Sequence, residues 1–153
     1  MTNNSSLTTA QSVAIKFISY RLRSEQELKI RLSKDFDEPT VKETILKMYD
    51  WGFLDDNRFA KIFTESRIIS RPKSASFIKK ELLQKGIPKE TAAFAVEEID
   101  DSETCLILAR KKARGISSLP WEQFQKKMLG YLARRGFNYS IAQSTIKKIW
   151  GEL

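Results

Sequence analysis

Leu82-Leu-Gln-Lys-Gly-Ile87 is answered 50 residues later by Leu132-Ala-Arg-Arg-Gly-Phe137, and this echo decides the fold. Gly86 and Gly136 hold the same place in the two stretches. Leu32, Leu82 and Leu132 also step by 50, and so do Leu28, Ile78 and Met128. Within each copy the two apolar residues lie four apart, which puts them on one face of a helix. Three copies of this length account for nearly all of the 153 residues. Self-similarity at such a period marks tandem helical repeats whose copies bury their apolar faces against one another. So small an array is more readily a binding surface than a reaction vessel.

Working outward, local signals place three helices in each copy. Thr9 to Tyr20 carries Ala14, Phe17 and Ile18 inward. Ser24-Glu-Gln-Glu27 has capping-box spacing, with Ser24 accepting from the Glu27 amide while Glu27 reaches back. Glu38-Pro39 opens a third helix with Val41, Ile45, Met48 and Tyr49 as its buried stripe and Gly52 as its stop. In the second copy an aspartate of Asp55-Asp56 caps a helix bearing Phe59, Ile62 and Phe63. Pro72 separates it from a helix near Ser74–Lys85, and Pro88 opens the next, carrying Ala92, Ala95, Val96 and Ile99. In the third, Ser102 caps a helix with Cys105, Leu108 and Ala109. Leu119-Pro120-Trp121 opens another that runs through Arg135, and the last follows Gly136 to Trp150. There is no sustained period-two alternation and no hairpin dipeptide, so strands are not expected. The reading is an all-α chain: a flexible lead-in over 1–9, then three-helix repeats over 10–53, 54–100 and 101–153.

The net charge of +8 is distributed unevenly. The first 50 residues hold eight Lys/Arg against seven Asp/Glu, and the next 50 hold nine against eight. Residues 101–153 hold ten against four, a surplus of +6. Arg110, Lys111, Lys112, Arg114, Lys126, Lys127, Arg134, Arg135, Lys147 and Lys148 supply it. Such a field favours a polyanion: nucleic acid, an acidic protein surface, or a nucleoprotein offering both. The plain alternative is a solvated helix surface. The residues expected to meet nucleic acid or a filament are Arg110, Lys111, Arg114, Lys126, Lys127, Arg134, Arg135, Lys147 and Lys148.

Catalytic chemistry finds little to work with. The chain has no histidine, which removes His-dependent triads and His-ligated metals. Its one cysteine cannot make a zinc cluster or an internal disulfide, and fits a reducing cytoplasm. No phosphate loop or dinucleotide fingerprint occurs among six glycines. Asp55-Asp56 is an acidic pair, but neighbours at a helix start point in different directions and chelate poorly. No catalytic residue, cofactor or metal is expected. No apolar run approaches the ~20 residues that span a bilayer, and the polar start lacks the parts of a signal peptide. The expected setting is cytoplasmic, without a membrane, as a monomer.

Trp51-Gly-Phe-Leu-Asp-Asp-Asn-Arg-Phe-Ala60 resembles the Gly-x-Leu-Asp-Asp-x-Arg-Phe-Ala signature of the RecX family of recombinase regulators. Arg23-Ser-Glu-Gln-Glu-Leu28 is similar to that family's Arg-Ser-x-x-Glu-Leu segment. Glu81-Leu-Leu-Gln-Lys-Gly-Ile87 and Leu132-Ala-Arg-Arg-Gly-Phe137 match its two later landmarks, so the resemblance covers about residues 10–150 in order. The Leu-Asp-Asp-x-Arg-Phe-Ala string is the specific part. One departure is Pro72-Lys-Ser-Ala75, where the family often carries a glycine. The resemblance implies three tandem three-helix repeats in an elongated, curved array. It also implies binding to RecA filaments on single-stranded DNA, with inhibition of filament growth, strand exchange and ATP hydrolysis, in recombination and DNA repair. Weaker electrostatic binding to single- or double-stranded DNA is implied as well. The motif residues Leu54, Asp55, Asp56, Arg58, Phe59 and Ala60 read as architecture: Leu54 and Phe59 pack, an aspartate caps, and Arg58 pairs locally.

Two other readings stand beside this one. Short glycine turns at Lys85-Gly86-Ile87-Pro88 and Arg135-Gly136-Phe137-Asn138 join helices as in helix-turn-helix DNA readers. Of the three candidate reading helices only the last, with Asn138, Tyr139, Gln143, Ser144, Lys147 and Lys148, lacks opposing glutamates. The other reading is a helical scaffold for an unrelated acidic protein.

Overall fold

A computed structural model of the chain describes residues 4–153. Among them are nine helices and no strand: α1 (Asn4–Tyr20), α2 (Glu25–Ser33), α3 (Glu38–Asp50), α4 (Asp56–Ser70), α5 (Ala75–Gln84), α6 (Lys89–Val96), α7 (Asp101–Ala113), α8 (Trp121–Ala133) and α9 (Tyr139–Glu152). The all-α, three-by-three expectation holds. The lead-in does not extend to residue 9, because α1 starts before Thr9. Thr9 and Ser12 donate to the carbonyls of Ser5 and Thr8, one turn earlier. Residues 1–3 of the expected lead-in lie outside the described residues.

Small polar residues set the helix starts. Ser24, Asp37, Asp100 and Asn138 each accept from amides of the following turn, satisfying donors that a helix start leaves open. Four local expectations are corrected. Asp100, and not Ser102, caps α7, accepting from the amides of Ser102 and Glu103. Glu27 does not reach back to Ser24; its carboxylate turns to Arg21 and Arg23, whose charges outbid a neutral amide. Tyr49 and Ile62 are exposed. The inward positions near them are taken by Thr44 and Thr64, since the buried stripe at 40, 41, 44, 45 and 48 rotates past Tyr49. Thr44 is accommodated there by donating its hydroxyl to the Thr40 carbonyl at 2.7 Å.

The helices pack as two compact units. One comprises the chain up to Phe63 with Glu81–Ala95, the other Thr64–Lys80 with Val96–Leu153. The boundary passes through α4, α5 and the last residue of α6, so the middle copy contributes to both. In the first unit α1, α2 and α3 enclose Ala14, Leu28, Leu32, Val41, Ile45, Met48 and Leu54. In the second, α7, α8 and α9 enclose a larger core built around Phe124, Met128, Leu132 and Ile146. All six residues of the two 50-step series, Leu28, Ile78, Met128, Leu32, Leu82 and Leu132, have no exposed surface.

Each unit contains a junction of the same design. In the first, the Ser24 hydroxyl accepts from the Glu27 amide and donates to the Lys85 carbonyl at 2.7 Å. Asp56 accepts from the Glu25 amide at 3.0 Å. In the second, Ser74 accepts from the Phe77 amide, and its own amide donates to the Arg135 carbonyl at 2.9 Å. Asp101 accepts from the Ala75 amide at 2.8 Å. Glycine is required at both: Gly86 has φ 83° and Gly136 φ 91°. A Cβ there would fall on Gln26 in the first case and on Ser74 and Phe77 in the second. Gly136→Ala therefore combines a left-handed backbone with a clash. It is expected to cost roughly 1–3 kcal/mol, read as a lowered midpoint in urea unfolding.

Candidate nucleic-acid interface

Charge follows the units more sharply than it follows the sequence. The first unit holds 12 Lys/Arg against 11 Asp/Glu, and the second 15 against 8. A surplus of +7 out of +8 thus sits on one packed body. The segment 64–80 adds Arg67, Arg71, Lys73, Lys79 and Lys80 to it against the single acid Glu65.

Part of this charge converges. The Ser74–Arg135 backbone bond lays the turn Arg71-Pro72-Lys73 beside the turn that ends α8. Arg71, Lys73, Lys111, Lys112, Arg134 and Arg135 then line one open cleft of about 880 Å³, with Tyr131 and Ile116 among its apolar wall. Tyr131 carries two of the cations. The Arg135 guanidinium lies 3.7 Å from its ring centroid and the Lys112 ammonium 5.3 Å, a cation–π arrangement that holds both heads at the surface. Arg135 also donates to the Tyr131 carbonyl at 3.0 Å. Lys112 and Arg134 are shared with a neighbouring hollow of about 560 Å³ that adds Lys126 and Lys127. Arg71, Lys111, Lys112, Arg134 and Arg135 form no ion pair among the described residues. A cleft so lined attracts extended anions without selecting a base sequence.

The structure sorts the residues expected from sequence. Lys111, Lys126, Lys127, Arg134 and Arg135 share this continuous basic surface. Arg110 stands apart: its guanidinium is held by Glu152, with Nη2–Oε1 at 2.8 Å and Nε–Oε2 at 3.2 Å. The pair raises the pKa of Arg110 and lowers that of Glu152, each chiefly through their mutual hydrogen bond. Arg114, Lys147 and Lys148 are exposed and line neither hollow. Arg71, Lys73, Lys112 and Tyr131 are the additions. Arg71 and Lys73 escape a per-copy charge count because they precede Ser74 in a different copy. On α9, the Gln143 amide is engaged by Gln125 at 3.3 Å and Tyr139 at 3.0 Å, which ties up one of the groups a base-reading helix would present.

The motif around Leu54 is built into the scaffold. Leu54, Phe59 and Ala60 are buried, and Phe59 stacks on Phe63 at 5.9 Å. The two aspartates diverge: Asp55, just before α4, accepts from the Arg58 amide in that helix's first turn, while Asp56 serves the start of α2. Partial burial pushes the Asp56 carboxyl up, against the lowering effect of the Glu25 amide. Burial, with Asp56 and Glu25 nearby, likewise pushes the Tyr49 phenol up. Arg58 is exposed and makes no ion pair among the described residues, so the expected local pairing is absent. Among those residues no group of acids and cysteine is placed to hold a metal ion. Cys105 is fully buried, and burial raises its thiol pKa, disfavouring the reactive thiolate. No helix among the described residues is long and apolar enough to cross a membrane.

Comparison with known proteins agrees with this architecture. Family models for the first, second and third three-helix domains of RecX match residues 10–48, 55–96 and 98–146. The chain is similar to the regulatory protein RecX of Prosthecochloris aestuarii, with 30% identity over 137 residues, covering 89% of this chain and 90% of that one. It is similar to that of Chlorobaculum tepidum at 29% over 140 residues, covering 91% and 87%. Among solved structures, the crystal structure of RecX from Lactobacillus salivarius superposes with a TM-score of 0.84 at 26% identity, covering 96% of this chain and 98% of that chain.

Proposed function

The chain belongs to the RecX family of regulatory proteins, not of enzymes, and on that premise we propose that it regulates a RecA-type recombinase. It binds the recombinase filament on single-stranded DNA and inhibits its growth, its strand exchange and its ATP hydrolysis. The observation that supports this reading most is the concentration of cations on one unit, lining a cleft with an aromatic wall. A filament on single-stranded DNA offers a matching surface: closely spaced phosphates beside protein carboxylates. Electrostatic attraction speeds encounter and holds the regulator near the DNA. Contact with protein supplies the rest of the affinity. Contact with bare DNA is the weaker, salt-sensitive part of the same interaction.

A regulator that occupies a growing filament end need not coat every subunit. Filament extension is therefore expected to slow at substoichiometric amounts of this protein, together with single-strand-dependent ATP hydrolysis. The test is ATP hydrolysis and light-scattering growth of the cognate RecA on single-stranded DNA with and without the chain. Unchanged growth and hydrolysis at one regulator per RecA would sink the assignment.

A further inference from the structure

The two junctions are built on one plan but are finished differently. The 50-residue step pairs Arg21 with Arg71, Arg23 with Lys73 and Lys85 with Arg135. The Ser24 hydroxyl on the Lys85 carbonyl and the Ser74 amide on the Arg135 carbonyl bring the same positions of the repeat together in each unit. In the first junction the three cations surround one carboxylate. Glu27 contacts Arg21, stands 3.7 Å from Arg23 Nη1 and 4.0 Å from Lys85 Nζ, and is only 16% exposed. Drawing three cations together costs repulsion, and this internal anion offsets it. In the second junction position 27 has become Phe77, and Glu81 on α5 has become Tyr131 on α8. Arg71 and Arg135 keep the charges of Arg21 and Lys85 and form no ion pair among the described residues, while the Glu27 carboxylate has no counterpart.

We infer that Arg71 and Arg135 form a phosphate subsite for single-stranded nucleic acid, at the place the Glu27 carboxylate fills in the first junction. The inference rests on the polyanion contact proposed above and locates it. Phosphate is favoured over a partner's carboxylate because of what replaced the acids. Guanidinium groups fork onto phosphate oxygens. Tyr131 in the cleft wall also gives an adjacent base an aromatic surface, the pairing used for unstacked strands. The first junction, already carrying its own anion, takes no strand.

Placing the carboxylate back tests this on the full chain. Binding of a fluorescent oligo-dT is followed by anisotropy at several salt concentrations for wild type, Phe77→Glu, Phe77→Gln and the double variant Arg71→Gln with Arg135→Gln. Phe77→Glu is expected to weaken binding roughly tenfold or more, and to flatten the salt slope by about 0.7, the share of the one phosphate the subsite holds. Phe77→Gln, which removes the ring without adding charge, is expected to stay within about threefold of wild type. The double variant, at surface side chains, is expected to flatten the slope by about 0.7 as well and remains informative if Phe77→Glu fails to fold. Equal loss in Phe77→Glu and Phe77→Gln, or no loss in a folded Phe77→Glu or in the double variant, overturns the subsite. If wild type binds with a steep salt dependence in that case, the broader polyanion contact stands without it. If wild type shows no salt-dependent binding, both fall. Loss of binding to RecA filaments with bare DNA unaffected assigns the anion to protein carboxylates and overturns the phosphate assignment.

Discussion

Leu82→Ala is expected to destabilise the chain by about 2–5 kcal/mol, the range for removing a fully buried leucine and leaving a cavity. Leu82 has no exposed surface and sits four residues after Ile78, also fully buried. These two residues of α5 belong to different units, Ile78 to the second and Leu82 to the first. The carbonyl of Leu82 also accepts the Ile87 amide across the Gly86 turn. Loss of the side chain therefore loosens the turn that carries Lys85 and Gly86 as well as the core. The measurement is a urea or thermal melt followed by helical circular dichroism. A midpoint within a degree or so of wild type would show that the 50-residue register is misaligned.

The second large effect concerns binding. Changing Arg71, Lys111, Lys112 and Arg134 to glutamine removes four cations from the cleft and its shared rim. If each neutralises one phosphate, the slope of log affinity against log salt falls by roughly 0.7 per residue, near 3 in all. Affinity for single-stranded DNA at low salt should then drop by orders of magnitude, while the melt is little changed because these heads stand at the surface. Arg110→Gln is the internal control. Its guanidinium is committed to Glu152, and exposed pairs contribute little to stability. It is expected to leave both the slope and the melt nearly unaltered. A four-site variant that keeps the wild-type slope would return these charges to the status of a solvated surface.

The contrast between Arg110 and Arg71 shows where sequence reading runs out. Both look alike in a charge count. The charge of Arg110 is committed to a glutamate 42 residues away, and Arg71 gains Arg135 as a neighbour through a backbone bond made by Ser74. Neither partner is within a helical turn, so no periodicity announces it. The same holds for Tyr49 and Ile62, which stand at the edges of correctly phased faces: Val41, Ile45, Met48 and Phe59 are buried, and Thr44 and Thr64 fill the remaining inward places. Asp100 capping α7 in place of Ser102 is a smaller slip of the same kind, since either residue can accept an amide hydrogen bond.

The sequence by itself determined the all-helical class, the three-fold copy, the fully buried leucine series and the two glycine turns. Each of these is a local or periodic matter: helix phase, capping chemistry, and a backbone conformation that glycine adopts without strain. Sequence also carried the signature that leads to the RecX family. Tertiary structure decided how charge is grouped. Packing divides the middle copy between two units, and the basic half of that copy joins the basic third copy. It also decided which cations are spent on internal carboxylates and which stay available. Electrostatic pairing depends on distances through space, and only the folded chain fixes those.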